Sequence, residues 1–559
     1  MLRWASLTFV LLLAVPVLLG TAISILPAFG YLPALGGNQL SLAPWLDLIS
    51  VPGLTHSLSI SLIAGIVTPL ISLIFVFLFL ASASGSKLDN WIRRLVSPLL
   101  SLPHAAAAFG LAFLIAPSGL LSRWISPGIS GWERPPDLLI VNDTWGLSLL
   151  LGLIVKEIPF LLLMSLAALG QVNPAERVSM ARSLGYSPTI SWLKTVAPGL
   201  YPLIRLPLFA IIVFSSATVD VALILGPNLP PTLSVMILNW FNDPDLSYRF
   251  LAAAAALLQL AVSLSAIGIW IVLEKFTAYL WHRWLNAGNR SSGEILLYTI
   301  GRFGMPLVLL ITAASLVALS INSFSGVWRF PASIPSSWTV QHWANAIPEL
   351  LIPLTNTLFI SLIATASAIV LVLSTLEYEH QQGKKSTMAI WLLYLPLLIP
   401  QVVFLFGLVV LSELLQWQAN LALVIFGHLL FVLPYVFLSL SGAYRHLDPR
   451  WIQVASTLGA SRSKSFFKIR IPLLLAPCLT AIALGMAISI SLFLPTQLLG
   501  AGRITTITTE AIAMSSGGSR NQIAVWAIVQ LLLPMLGFVA ALYIPRILWR
   551  SRTGMKEIQ

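Results

Sequence analysis

Long apolar segments separated by short polar ones dominate the chain. Windows of about 20 apolar residues, the length that crosses a bilayer as a helix, recur from one end to the other. They fall into two sets of six, near residues 4–25, 56–81, 96–116, 144–170, 199–225 and 250–273, and near 298–320, 353–375, 389–412, 419–441, 473–495 and 521–545. The pattern predicts an all-α integral membrane protein with about 12 transmembrane helices.

The composition agrees with a membrane protein. The 559 residues are 58% hydrophobic and 9% charged, whereas a typical soluble domain is about 25% charged. The apolar run that follows Arg3 continues to about residue 25 and is followed by many similar spans. We therefore interpret it as a retained first helix and not as a cleaved signal peptide. A single cysteine, Cys478, excludes an internal disulfide and a cysteine metal site.

The positions of lysine and arginine predict the orientation. When the loops are assigned to alternating sides, one side receives only Arg123, Arg134, Arg249, Arg329, Arg503 and Arg520 of the 31 basic residues. Nearly all the others fall on the side that holds both termini. Because cytoplasmic loops carry an excess of positive charge, both termini are predicted to be cytoplasmic. The net charge of +12 therefore reflects topology and does not indicate a nucleic-acid partner.

The two sets of spans repeat one another. Ser61-Leu62-Ile63-Ala64 recurs as Ser361-Leu362-Ile363-Ala364, and Pro103 with Phe109-Gly110-Leu111 recurs as Pro400 with Phe406-Gly407-Leu408. Corresponding helices run in the same direction, so the halves should be related by a pseudo-twofold axis along the membrane normal. We predict an N-terminal half over residues 1–273, a cytoplasmic linker over 274–297 and a C-terminal half over 298–559.

A short polar stretch occurs once in each half, from Asn173 to Pro198 and from Asp448 to Pro472. Each begins with an Asx-Pro pair, which is typical of a helix capped by the Asx side chain with proline in its first turn. Each continues to a glycine, Gly185 or Gly459, that can end this helix in the left-handed conformation. Both stretches are predicted to be cytoplasmic.

A second short helix should follow in each stretch. Ser187 or Ser461 stands where it can cap that helix, and the helix should stop before Pro198 or Pro472. The distance from glycine to proline is 13 residues in both copies. Two short helices set at an angle would form a knob that fits into a partner.

These stretches resemble the cytoplasmic loops of the inner-membrane permeases of binding-protein-dependent ABC importers, which have the pattern E-A-A-x3-G-x9-I-x-L-P. The second stretch places Gln453, Val454, Ala455, Gly459, Ile469, Ile471 and Pro472 at these positions. The first places Ser179, Met180, Ala181, Gly185, Thr195, Ala197 and Pro198 there. The glycine-to-proline spacing is kept in both, and the glutamate is absent from both.

The resemblance covers nearly the whole chain and implies the type I ABC importer permease fold, with two halves fused as in the iron(III) and thiamine importers. It implies that each loop docks on one of two separate cytoplasmic ATPase subunits, which bind the ATP. It also implies a location in the bacterial inner membrane, with a periplasmic substrate-binding protein that delivers a small solute, whether iron(III), thiamine or another. The runner-up hypothesis is a secondary transporter with 12 helices, which would not need two matched loops.

The chain lacks the phosphate-binding pattern G-x4-G-K-[ST] of an ATPase. Gly383-Lys384-Lys385-Ser386 comes nearest, but position 378 is Tyr and the residue after Gly-Lys is a second lysine. Neither His-x3-His nor Cys-x2-Cys occurs. We therefore expect a transport subunit without enzymatic activity and without a cofactor or metal of its own.

Three ionisable residues interrupt the apolar spans. Lys156 and Glu157 lie in the fourth span and Asp220 in the fifth. Each costs about 2.5–3.5 kcal/mol at the centre of a membrane helix, so such residues tend to line a path or to find partners. One arrangement is a Lys156–Asp220 pair between neighbouring helices, which would serve either as a structural contact or as part of the translocation path. Lys156, Glu157 and Asp220 are the candidate residues of that path.

Overall fold

The computed structural model describes residues 2–100, 102–291, 293–383 and 387–548, with residues 94–100 and 387–391 described by their backbone alone. The first half forms helices α1 (Leu2–Ala28), α2 (Ala43–Ser50), α3 (Leu54–Ala83), α4 (Lys87–Leu100), α5 (His104–Ile115), α6 (Leu120–Ile125), α7 (Leu147–Leu169), α8 (Pro174–Ser183), α9 (Pro188–Thr195), α10 (Ala197–Ala217), α11 (Asp220–Leu225), α12 (Leu233–Phe241) and α13 (Tyr248–Asn286).

The second half follows a similar order, but it has no counterpart of α6 and one long helix takes the place of α2 and α3. It forms helices α14 (Glu294–Phe324), α15 (Gln341–Gln382), α16 (Thr387–Leu398), α17 (Gln401–Leu414), α18 (Leu421–His446), α19 (Arg450–Thr457), α20 (Arg462–Ser465), α21 (Ile471–Leu473), α22 (Leu475–Ser491), α23 (Leu494–Leu499), α24 (Ile507–Ala513) and α25 (Arg520–Leu548). A π-helical turn, Phe466–Arg470, joins α20 to α21. Within the described residues the regular secondary structure is helical throughout.

The number of spans agrees with the sequence pattern. Ten helices of the described chain are long and apolar enough to cross a membrane, and the number rises to 12 if each of two bent pairs is one span. One pair, Leu392–Leu398 with Gln401–Leu414, is bent by 95°; the other, Arg462–Leu473 with Leu475–Ser491, by 74°. The first bend falls just before Pro400, where the preceding residue is disfavoured in helical geometry. The all-α membrane fold is confirmed.

The first helix of each half packs against the other half. Helix α1 contacts α17 and α15, and α14 contacts α3 and α5. Small residues permit these crossings, since a Cβ on Gly110 of α5 would lie 2.9 Å from the carbonyl oxygen of Ser315 on α14. The halves are therefore interlocked and do not simply lie side by side.

The connection between the halves is shorter than the sequence suggested. Helix α13 continues to Asn286, well beyond residue 273, and α14 begins at Glu294. The non-helical connection thus lies within the predicted linker, and it ends at the same face as the two polar stretches. We call this end, which carries residues 173–198 and 448–472, the loop face, and the opposite end the distal face.

Candidate translocation cavity and coupling loops

A cavity of about 200 Å³ lies between the two halves. Its walls come from α5, α7, α10 and α11 of the first half and from α16, α17, α18, α22 and α23 of the second. All three ionisable residues singled out in the spans, Lys156, Glu157 and Asp220, line it. The three ionisable residues singled out from the sequence thus lie in one cavity, where the two halves meet.

The two charges on α7 have different surroundings. The Lys156 ammonium group donates a hydrogen bond to the carbonyl oxygen of Leu102. That carbonyl is available because Leu102 lies outside a helix, directly before Pro103 at the break between α4 and α5, and the residue before a proline is disfavoured in helical geometry. The Glu157 side chain is largely buried and faces the cavity.

Asp220 begins the short helix α11 after a break that ends α10 at Ala217. Its carboxylate accepts a hydrogen bond of 2.9 Å from the Thr218 hydroxyl. Lys156 and Asp220 do not form the ion pair that we considered from sequence, since each has a partner of its own in the backbone or in the adjacent turn. The cavity therefore contains separate charges and not one neutral pair.

The charges stand on one side of the pseudo-twofold axis. The offset of 275 residues that relates Pro159 to Pro434 places Phe431 and Val432 at the positions of Lys156 and Glu157. The offset of 274 that relates Gly185 to Gly459 places Leu494 at the position of Asp220. One wall of the cavity is consequently charged, and the opposite wall is largely apolar and aromatic.

Several polar residues of this cavity were not predicted from the sequence. They are His104 and Thr218 of the first half and Gln401, Tyr435 and Ser491 of the second. His104 and Gln401 are repeat-equivalent, because each follows the proline at which a helix pair breaks, Pro103 or Pro400. A polar residue directly after a repeated proline was the available signal.

The loop face carries two helix pairs, α8 with α9 and α19 with α20. Gly185 and Gly459 have φ angles of 84° and 78°, so both adopt the predicted left-handed conformation. Each lies directly after the turn that ends the first helix of its pair. We call residues 173–198 and 448–472 the first and second coupling loops, after the docking role that the resemblance implies for them.

Capping differs between the coupling loops. In the second, Ser461 caps α20 by accepting a 3.3 Å hydrogen bond from the Lys464 amide. Asp448 does not cap α19, because Pro449 occupies the cap position; its carboxylate instead accepts a 2.9 Å hydrogen bond from the Arg450 amide. In the first, neither Asn173 nor Ser187 caps its helix. The predicted caps are therefore wrong for this loop. Asn173 is in the left-handed conformation, with φ of 49°, and its side chain makes no hydrogen bond to the first turn of α8. Ser187 has the extended backbone of a cap residue, but its hydroxyl makes no hydrogen bond to α9.

The second short helix ends before its proline, as predicted, in the first coupling loop only. Helix α9 ends at Thr195, before Pro198. In the second loop the chain remains helical through Pro472 and bends at Leu474. The π-helical turn accounts for the difference, since the Ile471 amide donates to the Phe466 carbonyl and shifts the hydrogen-bond register before the proline.

Equivalent apolar side chains project from the two coupling loops. Leu184 is 64% exposed and Leu458 is 81% exposed, and Met180 and Val454 are exposed one turn before them. Residues four apart lie on one face of a helix, so each loop presents an apolar pair to the outside. Ala181 and Ala455 are buried on the inner side. The remaining residues of the motif also lie on these loops: Ser179, Gln453 and Pro198 are exposed, and Ile469, Ile471 and Pro472 are half-buried.

The connection between the halves holds the first coupling loop. The Lys194 ammonium group donates hydrogen bonds of 3.1 Å to the carbonyl oxygens of Trp284 and Asn289. It also lies 4.7 Å from the centroid of the Trp284 ring, and burial lowers the pKa of this amine. The Ser187 amide donates a 3.1 Å hydrogen bond to the carbonyl oxygen of Arg290. These contacts attach α9 to residues 284–290, which we call the linker strap.

The second coupling loop is held by an ion pair. The buried Arg470 guanidinium contacts the Glu377 carboxylate of α15 and donates a 2.8 Å hydrogen bond to the Tyr444 hydroxyl of α18. Lys468, the repeat equivalent of Lys194, is exposed instead. The two loops thus share a shape but are fixed to the membrane helices by different contacts.

Comparisons with known proteins extend over the same regions. Residues 380–545 match the family described as the binding-protein-dependent transport system inner membrane component. The chain is 32% identical over 520 residues to the inner membrane ABC transporter permease protein YnjC of Escherichia coli (strain K12), covering 92% of this chain and 93% of that protein. It is 25% identical over 228 residues to the putative 2-aminoethylphosphonate transport system permease protein PhnV of Salmonella typhimurium, covering 40% of this chain and 84% of that protein. It is also 23% identical over 405 residues to the probable ABC transporter permease protein y4fN of Sinorhizobium fredii, covering 69% of this chain and 68% of that protein.

Proposed function

The chain belongs to the ABC transporter permeases, as an inner-membrane component of a binding-protein-dependent transport system, and from this premise we propose how its parts divide the work. Residues 1–273 and 298–559 act as the two permease halves, and residues 274–297 join them. The chain is a multi-pass transport subunit of the inner membrane that works with ATPase and substrate-binding components. This assignment disfavours an ion-driven secondary transporter.

The cavity between the halves serves as the translocation path. The observation that carries this proposal is the position of Lys156, Glu157 and Asp220, which are costly in a bilayer and all line one cavity at the junction of the halves. A charged wall facing an apolar wall allows a polar solute to be held transiently without tight binding. Relative movement of the halves changes the width of this cavity.

The two coupling loops dock on two cytoplasmic ATPase subunits, one loop on each. The exposed pairs Met180 with Leu184 and Val454 with Leu458 support this role, because each matched pair presents apolar surface that water disfavours. The loop face and both termini are then cytoplasmic, and the distal face is periplasmic. The ATP is bound by the partner subunits, since this chain has no phosphate-binding pattern of its own.

Transport follows from rigid movement of the coupling loops. Each loop is fixed to the helices behind it, the first through the linker strap and the second through Arg470 and Glu377. When ATP binding brings the ATPase subunits together, the loops are displaced as units and the halves rotate. The cavity opens to the distal face for delivery by the binding protein, and hydrolysis returns it to the loop face.

Thiol accessibility tests the path. With Cys478 replaced by serine, Ser491→Cys places a thiol on the cavity wall, and Ser216→Cys places one in packed protein outside it. In vesicles that contain the complete complex, a membrane-impermeant thiol reagent should modify position 491 much faster than position 216. The accessible side should change when ATP is bound. Equal reactivity at the two positions would contradict the proposed path.

The solute is to be identified through the binding protein that serves this permease. A thermal-shift screen of the purified binding protein against small solutes, including iron(III) and thiamine, measures which of them it binds. A solute that stabilises the binding protein should also stimulate ATP hydrolysis by the reconstituted complex. Stabilisation without stimulation would separate ligand binding from delivery to this chain.

A further inference from the structure

A second pocket, of about 180 Å³, lies on the distal face, away from the translocation cavity. Its wall combines residues of the first half around α6 with residues of the second half at the end of α14 and the start of α25. Ser118, Arg123, Trp328, Arg520 and Asn521 are among them. We call it the distal pocket. The lining is mainly polar and includes two arginines, and the described residues contribute no acidic side chain to it.

Arg123 is buried in the distal pocket, 7% exposed. Its guanidinium donates hydrogen bonds of 3.0–3.3 Å to the carbonyl oxygens of Ser118, Trp328, Arg329 and Ala332, and it lies 4.3 Å from the centroid of the Trp328 ring. Carbonyl groups satisfy its donors without neutralising its charge. Of its five N–H donors, the four hydrogen bonds leave one for a ligand.

Arg520 brings a second positive charge to the distal pocket. It is the first residue of α25, is solvent-exposed, and donates a 2.7 Å hydrogen bond to the Ser118 hydroxyl. In the part of the chain that the structure describes, neither Arg123 nor Arg520 forms an ion pair with a carboxylate. Two guanidinium groups therefore share a polar pocket without a counter-charge.

The opposite side of the pseudo-twofold axis has the counter-charge. There Arg249, at the start of α13, forms a 2.7 Å ion pair with Glu413 of α17 in the other half. Arg520, at the start of α25, stands in the corresponding place. The offset of 297 residues that relates Pro103 to Pro400 relates Ala116 to Glu413. Arg249 therefore has the Glu413 carboxylate as its partner, whereas the position equivalent to Glu413 on the side of Arg520 is Ala116, which has only a methyl group. The distal pocket lies beside Ala116.

We propose that the distal pocket binds a carboxylate, supplied by an acidic side chain of the substrate-binding protein when it docks on the distal face. A guanidinium group recognises a carboxylate through short, charge-assisted hydrogen bonds, and both arginines are within one pocket. Because the wall of the pocket comes from both halves, an inserted carboxylate would link them at the moment of docking. The inference rests on the proposed function, which places the binding protein on this face.

The test uses ATP hydrolysis by the complete complex in lipid vesicles, titrated with the purified binding protein carrying its solute. Arg520→Gln should raise the binding-protein concentration needed for half-maximal stimulation about tenfold. The rate without binding protein and the maximal rate should stay the same. Arg503→Gln is the matched control, because Arg503 is also an exposed arginine of the distal face and does not line the pocket. It should leave the titration unchanged.

A charge reversal strengthens the test. Arg520→Glu should weaken stimulation further, and replacement of one acidic residue of the binding protein by lysine should restore it. Equal half-maximal concentrations for the unmodified complex and Arg520→Gln would overturn the proposal. If the binding protein fails to stimulate even the unmodified complex, it is the proposed function that fails and not the distal pocket.

Acetate separates the sources of the carboxylate. If sodium acetate stabilises the purified permease against heat more than sodium chloride does, and Arg520→Gln removes that effect while leaving the binding-protein titration unchanged, the occupant is a free small carboxylate. That result would overturn the assignment to the binding protein. Arg123 is avoided as a test variant, since its hydrogen bonds to four carbonyl groups also hold the surrounding loop together.

Discussion

Gly20 of α1 and Gly407 of α17 meet backbone to backbone where the two halves cross. A Cβ atom on Gly407 would lie 1.7 Å from the carbonyl oxygen of Gly20. One turn away, the Ser24 hydroxyl donates a 2.8 Å hydrogen bond to the carbonyl oxygen of Val403. Close approach of this kind, with small residues at the contact, is how helices associate in a membrane that offers no hydrophobic driving force between them.

Substitution of Gly407 tests this crossing. Gly407→Ala should destabilise the permease by about 1–3 kcal/mol, because the added methyl group meets backbone atoms that cannot rotate away. The expected result is a lower unfolding temperature in detergent and a smaller yield of monodisperse protein. Both can be followed by size-exclusion chromatography after heating.

Gly442 provides the matched control. It lies within α18, and a Cβ there would have no neighbour within 4 Å. Gly442→Ala should therefore leave the unfolding temperature unchanged or raise it slightly, because alanine favours a helix over glycine. If the two variants unfolded at the same temperature, the close crossing of α1 and α17 would be wrong.

Leu458 is expected to carry ATPase docking on the second coupling loop. Leu458→Glu introduces a charge at an 81% exposed apolar position, so it should weaken association with the ATPase about tenfold without affecting insertion into the membrane. The measurement is co-purification with the ATPase at graded concentrations. Leu229→Glu, at an 87% exposed position on the distal face, should have no effect. A loss of association in both variants would contradict docking at this loop.

The spans and the coupling-loop glycines were predictable because their signals are local. Length and hydrophobicity identify a membrane helix without knowledge of its neighbours, and Gly185 and Gly459 adopt the left-handed conformation that their position after a helix requires. The sequence repeat also predicted that equivalent helices and loops occupy equivalent positions in the two halves. The charged residues Lys156, Glu157 and Asp220 could be singled out because their cost in a bilayer does not depend on the details of packing.

The partners of those residues were not predictable. Lys156 bonds to the Leu102 carbonyl, and that carbonyl is free only because the chain breaks beside Pro103. Likewise, the linker strap depends on where α13 ends, and the sequence did not predict its continuation to Asn286. Asn173 does not cap α8, although asparagine favours that position, because its backbone is in the left-handed conformation. Each of these features depends on a contact between segments that are distant in sequence, or on a backbone conformation that such a contact imposes.

Lys194 is expected to position the first coupling loop. Lys194→Met keeps the length of the side chain but removes both hydrogen bonds to the linker strap, leaving two carbonyl groups without this donor. We expect less solute transported per ATP hydrolysed, with the ATPase still bound. The ratio of uptake to hydrolysis in proteoliposomes measures this effect directly.

Lys468→Met is the control for Lys194, since it removes the repeat-equivalent lysine from an exposed position. It should leave the ratio of uptake to hydrolysis unchanged. Lys194→Arg, which retains a cation with several donors, should restore part of the coupling lost in Lys194→Met. An unchanged ratio in Lys194→Met would remove the linker strap from the coupling mechanism.

Asp220 is the charge whose role is easiest to isolate. Asp220→Asn preserves the shape of the side chain and an oxygen that can accept from the Thr218 hydroxyl, so the start of α11 should remain intact. The negative charge facing the cavity is lost. We expect uptake in proteoliposomes to fall at least about fivefold, equivalent to about 1 kcal/mol of interaction with the solute, while the amount of folded permease in the membrane stays the same. Asp245→Asn, which changes an exposed aspartate of the distal face, should leave uptake unaltered. Normal uptake by Asp220→Asn would show that the carboxylate is structural, whereas loss of folded protein together with uptake would place it in the packing of α11 and not in the path.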